Sequence, residues 1–415
     1  MYRLNNRIID NLTGFNLSSA LNEVLRFDIY SREQIKSYQE NAFHYLRNLA
    51  IKSEKYKDFR NIPFEEFPVI TKKDLQIAET QYQTHFRKPY KKISTSGSSG
   101  IPLSFNMSRE MLLKKRASHL KMLDWYGLKR EDKEMKVGGG AIDFKTKVYY
   151  LLRNKRYHSS FNLTDKDYSK IINSYNSFKP KVLYGYPSSV AGVLSFAKAH
   201  QIPLHQPVIV LLHAENLYEH VRQLIEHTFP ETFIVNQYWA TEANLGVSCP
   251  KGNVHIDEDT VICEVFNPDE EGVGDLVITN LYSFDFPLIR YNIGDRVKIS
   301  NSECTCGRKT KIFERIEGRS TDYCQLKNGK RIYYAGNSIK MAKHCDNIAQ
   351  YQVIYEYSKD KLRFTYKRLN GSIPVKEEAF TNYFKRNYEQ EVEVKEVDFF
   401  RFESSGKFKT YLTVD

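Results

Sequence analysis

Apolar residues recur at helical spacing in several segments of the chain. A helical region is predicted from Leu17 to about Ala50, where Leu21, Val24 and Leu25 form one stripe and a second stripe follows Ser31. The same spacing predicts further helices, which cover Arg109 to Trp125, Asp165 to Phe178, Ser188 to Ala199, Leu217 to Thr228 and Val375 to Tyr388.

Short apolar runs between the helices predict strands. Three runs, at 181–187, 208–212 and 233–238, alternate with helices in the order typical of a mainly parallel sheet. From about Val254 the pattern changes to short strands with turns, and beyond Gly318 it predicts a hairpin, a helix and a strand. We therefore expect an α/β fold. Residues 1–318 would form a large domain of mainly parallel sheets flanked by helices plus a β-rich subdomain, and residues 319–415 a small α+β domain.

The composition fits two or three packed domains. The chain has 415 residues, of which 41% are hydrophobic and 13% aromatic, which is too apolar for a disordered protein. Its net charge of +12 is compatible with nucleic acid, an anionic membrane surface or a phosphorylated substrate, but the lysines form no long basic run. No apolar run could span a bilayer and no signal-peptide core follows Met1, so we expect a cytoplasmic protein, with association at a membrane surface left open.

The stretch Ser94–Pro102 concentrates small hydroxyl residues around two glycines. Glycine permits tight turns, and hydroxyls with successive backbone N–H groups can donate to phosphate oxygens. The same composition is typical of a flexible linker. No Gly-Lys-Ser/Thr follows the glycines, so a phosphate loop here would differ from the P-loop class. Taken alone, the stretch does not decide between linker and phosphate loop.

Later segments contain residues that would complete a nucleotide site. Tyr238, Thr241 and Glu242 follow a predicted strand, where the carboxylate could hold Mg²⁺ and the aromatic ring could stack on a base; an ordinary strand end is the simpler interpretation. Asp295 lies in a predicted turn and could accept hydrogen bonds from ribose hydroxyls, although most turn aspartates are solvated. Arg319 could face a phosphate from a hinge, or lie in an ordinary loop.

Four metal-ligating residues fall into two pairs. Cys249 precedes His255 by six residues, and Cys304 and Cys306 form a Cys-x-Cys pair. Three thiolates and one imidazole satisfy a closed tetrahedral Zn²⁺ site, which would be structural because no coordination position stays open. The alternative is a set of unrelated buried thiols. The other cysteines are isolated in sequence and are expected to be packed as apolar residues; they are Cys263, Cys324 and Cys345.

The order and spacing of these motifs resemble the adenylate-forming superfamily, which comprises acyl-CoA synthetases, adenylation domains and luciferase-type enzymes. Within it, the chain resembles phenylacetate-CoA ligase-like proteins and their capsular polysaccharide biosynthesis relatives of the CapK type. The motifs that carry the resemblance are Thr95-Ser96-Gly97-Ser98-Ser99-Gly100-x-Pro102, Tyr238-x-x-Thr241-Glu242, Tyr291-x-x-Gly294-Asp295, Gly318-Arg319 and Ser405-Gly406-Lys407.

The resemblance implies a role for each motif. Glu242 would sit on Mg²⁺, Thr241 near the α-phosphate of ATP, and Tyr238 along the adenine or the substrate. Asp295 would bind the ribose hydroxyls with Arg319 beside them. The C-terminal domain would be a mobile lid that carries a catalytic lysine to the α-phosphate and the carboxylate. That lysine would be Lys407, and the β- and γ-phosphates would be held by Thr95, Ser96, Gly97, Ser98, Ser99 and Gly100.

The implied activity is an ATP-dependent ligase that adenylates a carboxylic acid and transfers the acyl group to CoA or another acceptor, such as a carrier thiol or a sugar amine or hydroxyl. ATP, Mg²⁺ and structural Zn²⁺ would be its cofactors, and the chain would be a monomer or dimer without a nucleic-acid partner. Trp239 departs from the family's usual glycine, and Thr321 from its charged hinge residue. Two alternatives stay open: a zinc-containing basic nucleic-acid-binding protein, and a family member that binds nucleotide without ligase activity.

Overall fold

The computed structural model describes two compact units of the chain. They are Met1–Asp132 with Val235–Ile316, and Lys133–Ile234 with Glu317–Asp415. The residues described within them are 17–84, 91–94, 103–140, 142–160, 163–215, 217, 219–319, 323–333, 348–368, 375–397, 400–401 and 410–415. One unit boundary falls two residues from the predicted 318/319 boundary, but the large predicted domain is itself divided between the units. The prediction of a separate lid domain stays a prediction.

Helices in the first unit begin at capping residues. Ser31 and Thr71 each accept a hydrogen bond from the N–H group three residues on, in capping boxes completed by Gln34 and Asp74. Thr71 therefore caps the helix that begins at Lys72. Ser108 caps the long helix that follows the Ser/Gly stretch. The helices of this unit are α1 (Leu17–Phe27), α2 (Arg32–Ala50), α3 (Lys72–Ile77) and α4 (Arg109–Trp125).

Antiparallel strands make up most of the sheet in the first unit. Its order is β10–β11–β12–β13–β9–β8–β7. A separate two-stranded hairpin precedes α4 and consists of β1 (Lys91–Ser94) and β2 (Ser104–Met107). The β-rich texture predicted after Val254 is confirmed. The sheet strands are β7 (Phe233–Trp239), β8 (Asn244–Ser248), β9 (Val254–Ile256), β10 (Val261–Phe266), β11 (Gly274–Asn280), β12 (Tyr291–Ser300) and β13 (Ile312–Arg319).

A parallel sheet forms the first part of the second unit, as predicted from the alternation of strands and helices. Its order is β6–β5–β3–β4, and all three pairings are parallel. One helix and one strand of this region were not predicted, namely α5 and β4. The elements are β3 (Glu134–Val137), α5 (Phe144–Leu152), β4 (Lys155–His158), α6 (Asp165–Phe178), β5 (Val182–Gly185), α7 (Pro187–Ala199), β6 (Ile209–His213) and α8 (Glu219–Thr228).

The remainder of the second unit is an α+β arrangement. A four-stranded sheet has the order β18–β17–β16–β19, in which the predicted hairpin is antiparallel. The last predicted strand follows the helix, and its pairing with β17 ends at Glu396. The elements are β14 (Tyr323–Gln325), β15 (Arg331–Tyr333), β16 (Ile348–Glu356), β17 (Lys361–Arg368), α9 (Glu377–Tyr388), β18 (Val392–Glu396) and β19 (Tyr411–Val414).

Each sheet buries a core of its own. Aromatic rings including Phe67, Phe105 and Phe286 dominate the core of the first unit. Aliphatic residues of β5, β6, α7 and α8 fill the parallel part of the second unit, and Phe364 and Phe380 stack in its C-terminal part. Among the described residues, no helix combines the length and the apolarity needed to cross a bilayer.

Gly185 allows strands β3 and β5 to approach closely. A Cβ atom at this position would lie 2.3 Å from the carbonyl oxygen of Val137 on the paired strand. We expect Gly185→Ala to lower the free energy of unfolding by about 1–3 kcal/mol, because the strand backbone must shift. Gly138→Ala is the matched control, since its Cβ would meet Tyr186 at an ordinary 3.5 Å. Urea denaturation measures both; equal losses would contradict the close-approach argument.

Candidate functional site

The Ser/Gly stretch connects the two strands of the β1–β2 hairpin. The strands pair from Lys91 with Met107 to Ser94 with Ser104, and the last two side chains share a hydrogen bond of 2.6 Å. The hairpin therefore fixes both ends of the connection. The residues expected to bind phosphate, which are Thr95, Ser96, Gly97, Ser98, Ser99 and Gly100, lie outside the described residues.

Strand β12 brings two of the predicted motifs together. The hydroxyl of Tyr238, near the end of β7, donates to Asp295 Oδ2 at 2.5 Å. Four residues earlier on β12, the Tyr291 hydroxyl donates to Glu242 Oε1 at 3.5 Å. Glu242 is buried, and its carbonyl oxygen accepts from Asn280 Nδ2 at 2.6 Å. Three residues predicted to contact nucleotide or Mg²⁺ are thus linked through one strand.

The turn predicted around Asp295 lies within a strand. Gly294 has a φ of +84°, and its N–H donates to the Asn292 side chain at 2.9 Å, which is the local chemistry of a turn. The pairing of β12 with β11 is irregular at this point. The glycine therefore lies in a β-bulge, and the strand continues from Tyr291 to Ser300. The prediction of a turn was wrong because these residues lie within a continuous strand. The hydrogen bond between Gly294 and Asn292 is nevertheless typical of a turn.

A partly buried lysine supports the segment that carries Thr241 and Glu242. Lys115 of α4 donates through Nζ to the carbonyl oxygens of Ala240 and Thr241, at 2.9 and 3.1 Å. Burial lowers the pKa of Lys115 to about 8, against an opposing effect of the Glu242 charge. The Lys115 side chain therefore holds the main chain immediately before the glutamate.

Trp239, which departs from the family's usual glycine, packs against α4. It is the last residue of β7, and its ring lies edge-on to His119 with centroids 6.2 Å apart. A glycine would leave this contact unmade. The substitution therefore joins the motif to the helix that follows the Ser/Gly stretch.

A cluster of rings lies at the ends of β5 and β6 in the second unit. The imidazole of His213 is 4.4 Å from the Tyr184 ring and 5.0 Å from the Tyr186 ring, centroid to centroid. Glu215 accepts hydrogen bonds at 3.0 Å from the backbone N–H and the hydroxyl of Ser188, at the start of α7. The carboxyl ends of parallel strands commonly form ligand pockets, so this cluster is a candidate ligand-binding surface.

The two Cys/His pairs come together in the first unit. One ligand atom from each of Cys249, His255, Cys304 and Cys306 lies within 4.8 Å of all the others. The sulfur atoms of Cys249 and Cys304 are 3.8 Å apart, and Cys306 Sγ is 3.2 Å from His255 Nε2. Tetrahedral zinc with Zn–S bonds of about 2.3 Å would place its sulfur ligands about 3.8 Å from each other. The donor set and spacing therefore fit Zn²⁺.

Tight turns and hydrogen bonds orient these ligands. The Gly252 N–H donates to the Cys249 carbonyl, and the Gly307 N–H to the Cys304 carbonyl, so each turn carries a cysteine at its start. Both glycines have positive φ, at +83° and +88°. His255 Nδ1 shares a hydrogen bond of 2.8 Å with the Thr310 hydroxyl, which leaves Nε2 directed at Cys306.

The electrostatics of the cluster favour a neutral imidazole. Burial, followed by the charge of Arg308, lowers the pKa of His255 to about 4. Burial raises the pKa of the Cys249 thiol to about 12. A bound cation would reverse the effect on the thiol, because the thiolate is the form that ligates metal.

An ion cluster is buried behind the Cys/His group. Lys121 of α4 lies 3.1 Å from Asp257 and 3.2 Å from Asp259, and all three side chains are at most 3% exposed. Burial opposes the lysine charge, but the surrounding carboxylates outweigh burial and raise its pKa. Trp125, also on α4, donates from its indole nitrogen to Asp28 at 2.5 Å. The cluster joins α4 to the segment that follows His255.

The buried lysines of α4 were not predicted as part of the site. Met111, Lys114, Ser118 and Lys121 share the buried side of the helix at spacings of three and four residues. Lysines at these positions lower the apparent amphipathicity of the helix. These lysines could have been identified in the sequence because they lie in the same helical stripe as buried apolar residues.

Several predicted residues cannot be placed. Lys407 and Thr321 lie outside the described residues, as does Cys345. Arg319 ends strand β13. The expectation for the isolated cysteines is met at Cys324, which is fully buried in the C-terminal core.

Comparisons with known proteins agree with the fold. No protein-family model matches the chain. It is 26% identical to protein CapK of Staphylococcus aureus over 269 residues, which cover 63% of this chain and 60% of CapK. The structure is similar to 2-hydroxyisobutyryl-CoA ligase in its postadenylation state in complex with R3-HIB-AMP, with a TM-score of 0.71, 15% identity, and coverage of 94% of this chain and 91% of that one.

A second solved structure is similar over a smaller part. It is the anthranilate CoA ligase AuaEII in complex with anthranoyl-AMP, with a TM-score of 0.53, 14% identity, and coverage of 77% of this chain and 65% of that one. The chain therefore has the fold of the adenylate-forming ligases. The resemblance to CapK that was inferred above from the motifs is confirmed, and the resemblance to the superfamily is confirmed at the level of the fold.

The buried ion cluster makes a specific prediction for stability. Lys121→Met removes the cation and leaves two buried carboxylates unpaired, so we expect a loss of about 3–5 kcal/mol in the free energy of unfolding. The control is Lys36→Met, whose exposed partner Glu40 is 3.9 Å away and should contribute nothing measurable. Guanidinium denaturation tests both variants. A loss below about 1 kcal/mol for Lys121→Met would show that the cluster adds little.

Proposed function

We propose that the protein is an AMP-forming acid ligase. The observation that carries the proposal is the linkage of Tyr238, Glu242 and Asp295 through strand β12, within the fold of the adenylate-forming ligases. In the first step a carboxylate oxygen attacks the α-phosphorus of ATP, the bond to the β-phosphate breaks, and pyrophosphate leaves. In the second step an acceptor attacks the acyl carbon, loses its proton and releases AMP.

Each chemical requirement of this reaction has a candidate residue in the chain. The hydroxyls and N–H groups of 95–100 would hold the β- and γ-phosphates, and Glu242 would hold Mg²⁺ with Thr241 near the α-phosphate. Asp295 would bind the ribose, with Arg319 beside it, and Tyr238 would lie along the adenine. The hydrogen bond from Tyr238 to Asp295 supports placing the base and the ribose next to each other, beside these two residues.

The acceptor is proposed to be CoA, since the similar solved structures are CoA ligases. A carrier thiol or a sugar amine or hydroxyl is the other candidate, and the likeness to CapK supports a role in capsular polysaccharide biosynthesis. Residues 1–318 would bind ATP and acid, and residues 319–415 would form the mobile lid that carries Lys407. We place the reaction in the cytoplasm, with the enzyme a monomer or dimer.

Zinc is the cation proposed for the Cys/His cluster. Three sulfur atoms and one imidazole nitrogen at tetrahedral spacing support this assignment. With four protein ligands the ion would serve structure, because no position is left for substrate. It would tie the turn at Cys249 and strand β9 to the turn at Cys304.

Adenylation is tested by acid-dependent exchange of pyrophosphate with ATP, and by hydroxamate trapping across a broad panel of carboxylic acids with Mg²⁺. We expect exchange with at least one acid. Lys407→Ala should lower the rate by about 100-fold or more, because the charge that stabilises the transition state is removed. Lys409→Ala is the matched control and should retain activity.

Three outcomes separate the alternatives. Full activity in Lys407→Ala would contradict the proposed role of that lysine. ATP binding without exchange for any acid would favour a family member that has lost ligase activity. Salt-dependent binding to DNA or RNA without ATP binding would favour the nucleic-acid alternative.

Zinc content tests the metal proposal. We expect about one zinc per chain by mass spectrometry of the purified protein, and a loss of zinc in Cys304→Ser and Cys306→Ser. Removal of zinc should lower the midpoint of thermal unfolding, since the ligands lie on separate turns. Cys263→Ser is the control, because that thiol lies outside the cluster, and it should keep its zinc. Full zinc content in both cluster variants would contradict the assignment.

A further inference from the structure

Helix α5 turns an apolar stripe toward solvent. Of the eleven large hydrophobic side chains that are exposed among the described residues, five lie on this one helix of nine residues. Phe144 is 79% exposed, Leu151 77% and Leu152 59%, whereas core-facing helices bury such residues. With Val148 they recur at i, i+4, i+7 and i+8, which places them within an arc of about 100° at 3.6 residues per turn.

The opposite side of α5 packs on its own unit. Tyr150 stacks on Tyr157 of β4, with ring centroids 5.8 Å apart and planes 6° from parallel. Asp143 caps the start of the helix by accepting the Thr146 N–H at 2.7 Å. These contacts fix the rotation of the helix about its axis. The outward direction of the apolar stripe is therefore a property of the packed structure.

Two lysines border the stripe. At 100° per residue, Lys147 lies just beyond one edge and Lys145 just beyond the other, and both are exposed. Residues 144–158 contain five basic residues and no acidic ones. Of the other three, Lys155 pairs with Glu134 at 2.6 Å, while Arg153 and Arg156 pack against the unit. Asp143 at the start of the helix carries one negative charge, so Lys145 and Lys147 leave the exposed side of α5 with a net positive charge.

We propose that α5 docks on the surface of an anionic lipid bilayer. Apolar side chains between flanking lysines match the requirements of a helix that lies in the interface, with its apolar face in the acyl boundary and its cations among the headgroups. A second copy of the chain fits less well. A two-fold contact through this face would bring the two lysines of each copy against their counterparts, with Asp143 as the one acidic residue of 143–158 to offset them.

The proposal concerns attachment and is independent of ligase activity. The test is sedimentation of the full chain with vesicles of phosphatidylcholine, with or without phosphatidylglycerol. We expect binding to the anionic vesicles that weakens as salt rises. Phe144→Ser combined with Leu151→Ser and Leu152→Ser should lower the partition coefficient at least tenfold. Replacing Lys145 and Lys147 by glutamine should lower it by about fivefold per lysine on anionic vesicles.

The matched control is Ile29→Ser with Ile77→Ser, which removes exposed apolar side chains elsewhere, and it should bind like the wild type. Circular dichroism of every variant checks that it folds. The proposal is overturned if the wild type binds neither vesicle, or if the apolar triple variant binds as tightly as the wild type. It is also overturned if α5 instead mediates a concentration-dependent dimer that the triple variant abolishes.

Discussion

The buried contact of Lys121 with Asp257 and Asp259 is the constraint on which the first unit depends. Taking three charges out of water is costly, and the cost is offset only while all three stay in place. Helix α4 is thereby fixed to the segment that joins β9 to β10. His255 lies two residues before Asp257, so the position of the Cys/His cluster is fixed by the same contact.

Much of the fold could be predicted because its signals are local. The cap at Thr71 and the alternation of strands and helices from 181 to 238 depend on residues close in sequence. The antiparallel arrangement in the first unit depends on pairing between distant strands, which a single sequence does not reveal. Around Gly294 the sequence predicted a turn, but the residues form a bulge within β12, which has the same local hydrogen bonding as a turn.

The candidate site divides in the same way. The Cys/His grouping could be predicted from residue type, since few other roles explain such pairs, but the pairing of β8, β9 and β13 is what brings Cys249 toward Cys304. The buried lysines were missed because a lysine in a helix is ordinarily counted as solvent-facing. Helix α5 was not predicted, and only the packed structure reveals that its apolar face is exposed.

Helix α4 connects two motifs that are far apart in sequence and that are weak evidence when each is taken alone. It begins just after the hairpin that holds the Ser/Gly stretch, with Ser108 as its cap. About two turns later, Lys115 holds the carbonyl groups of Ala240 and Thr241, immediately before Glu242. Because one rigid helix supports both segments, a shift of α4 would move both. The spacing between the motifs in sequence is therefore free to vary, whereas their common support is not.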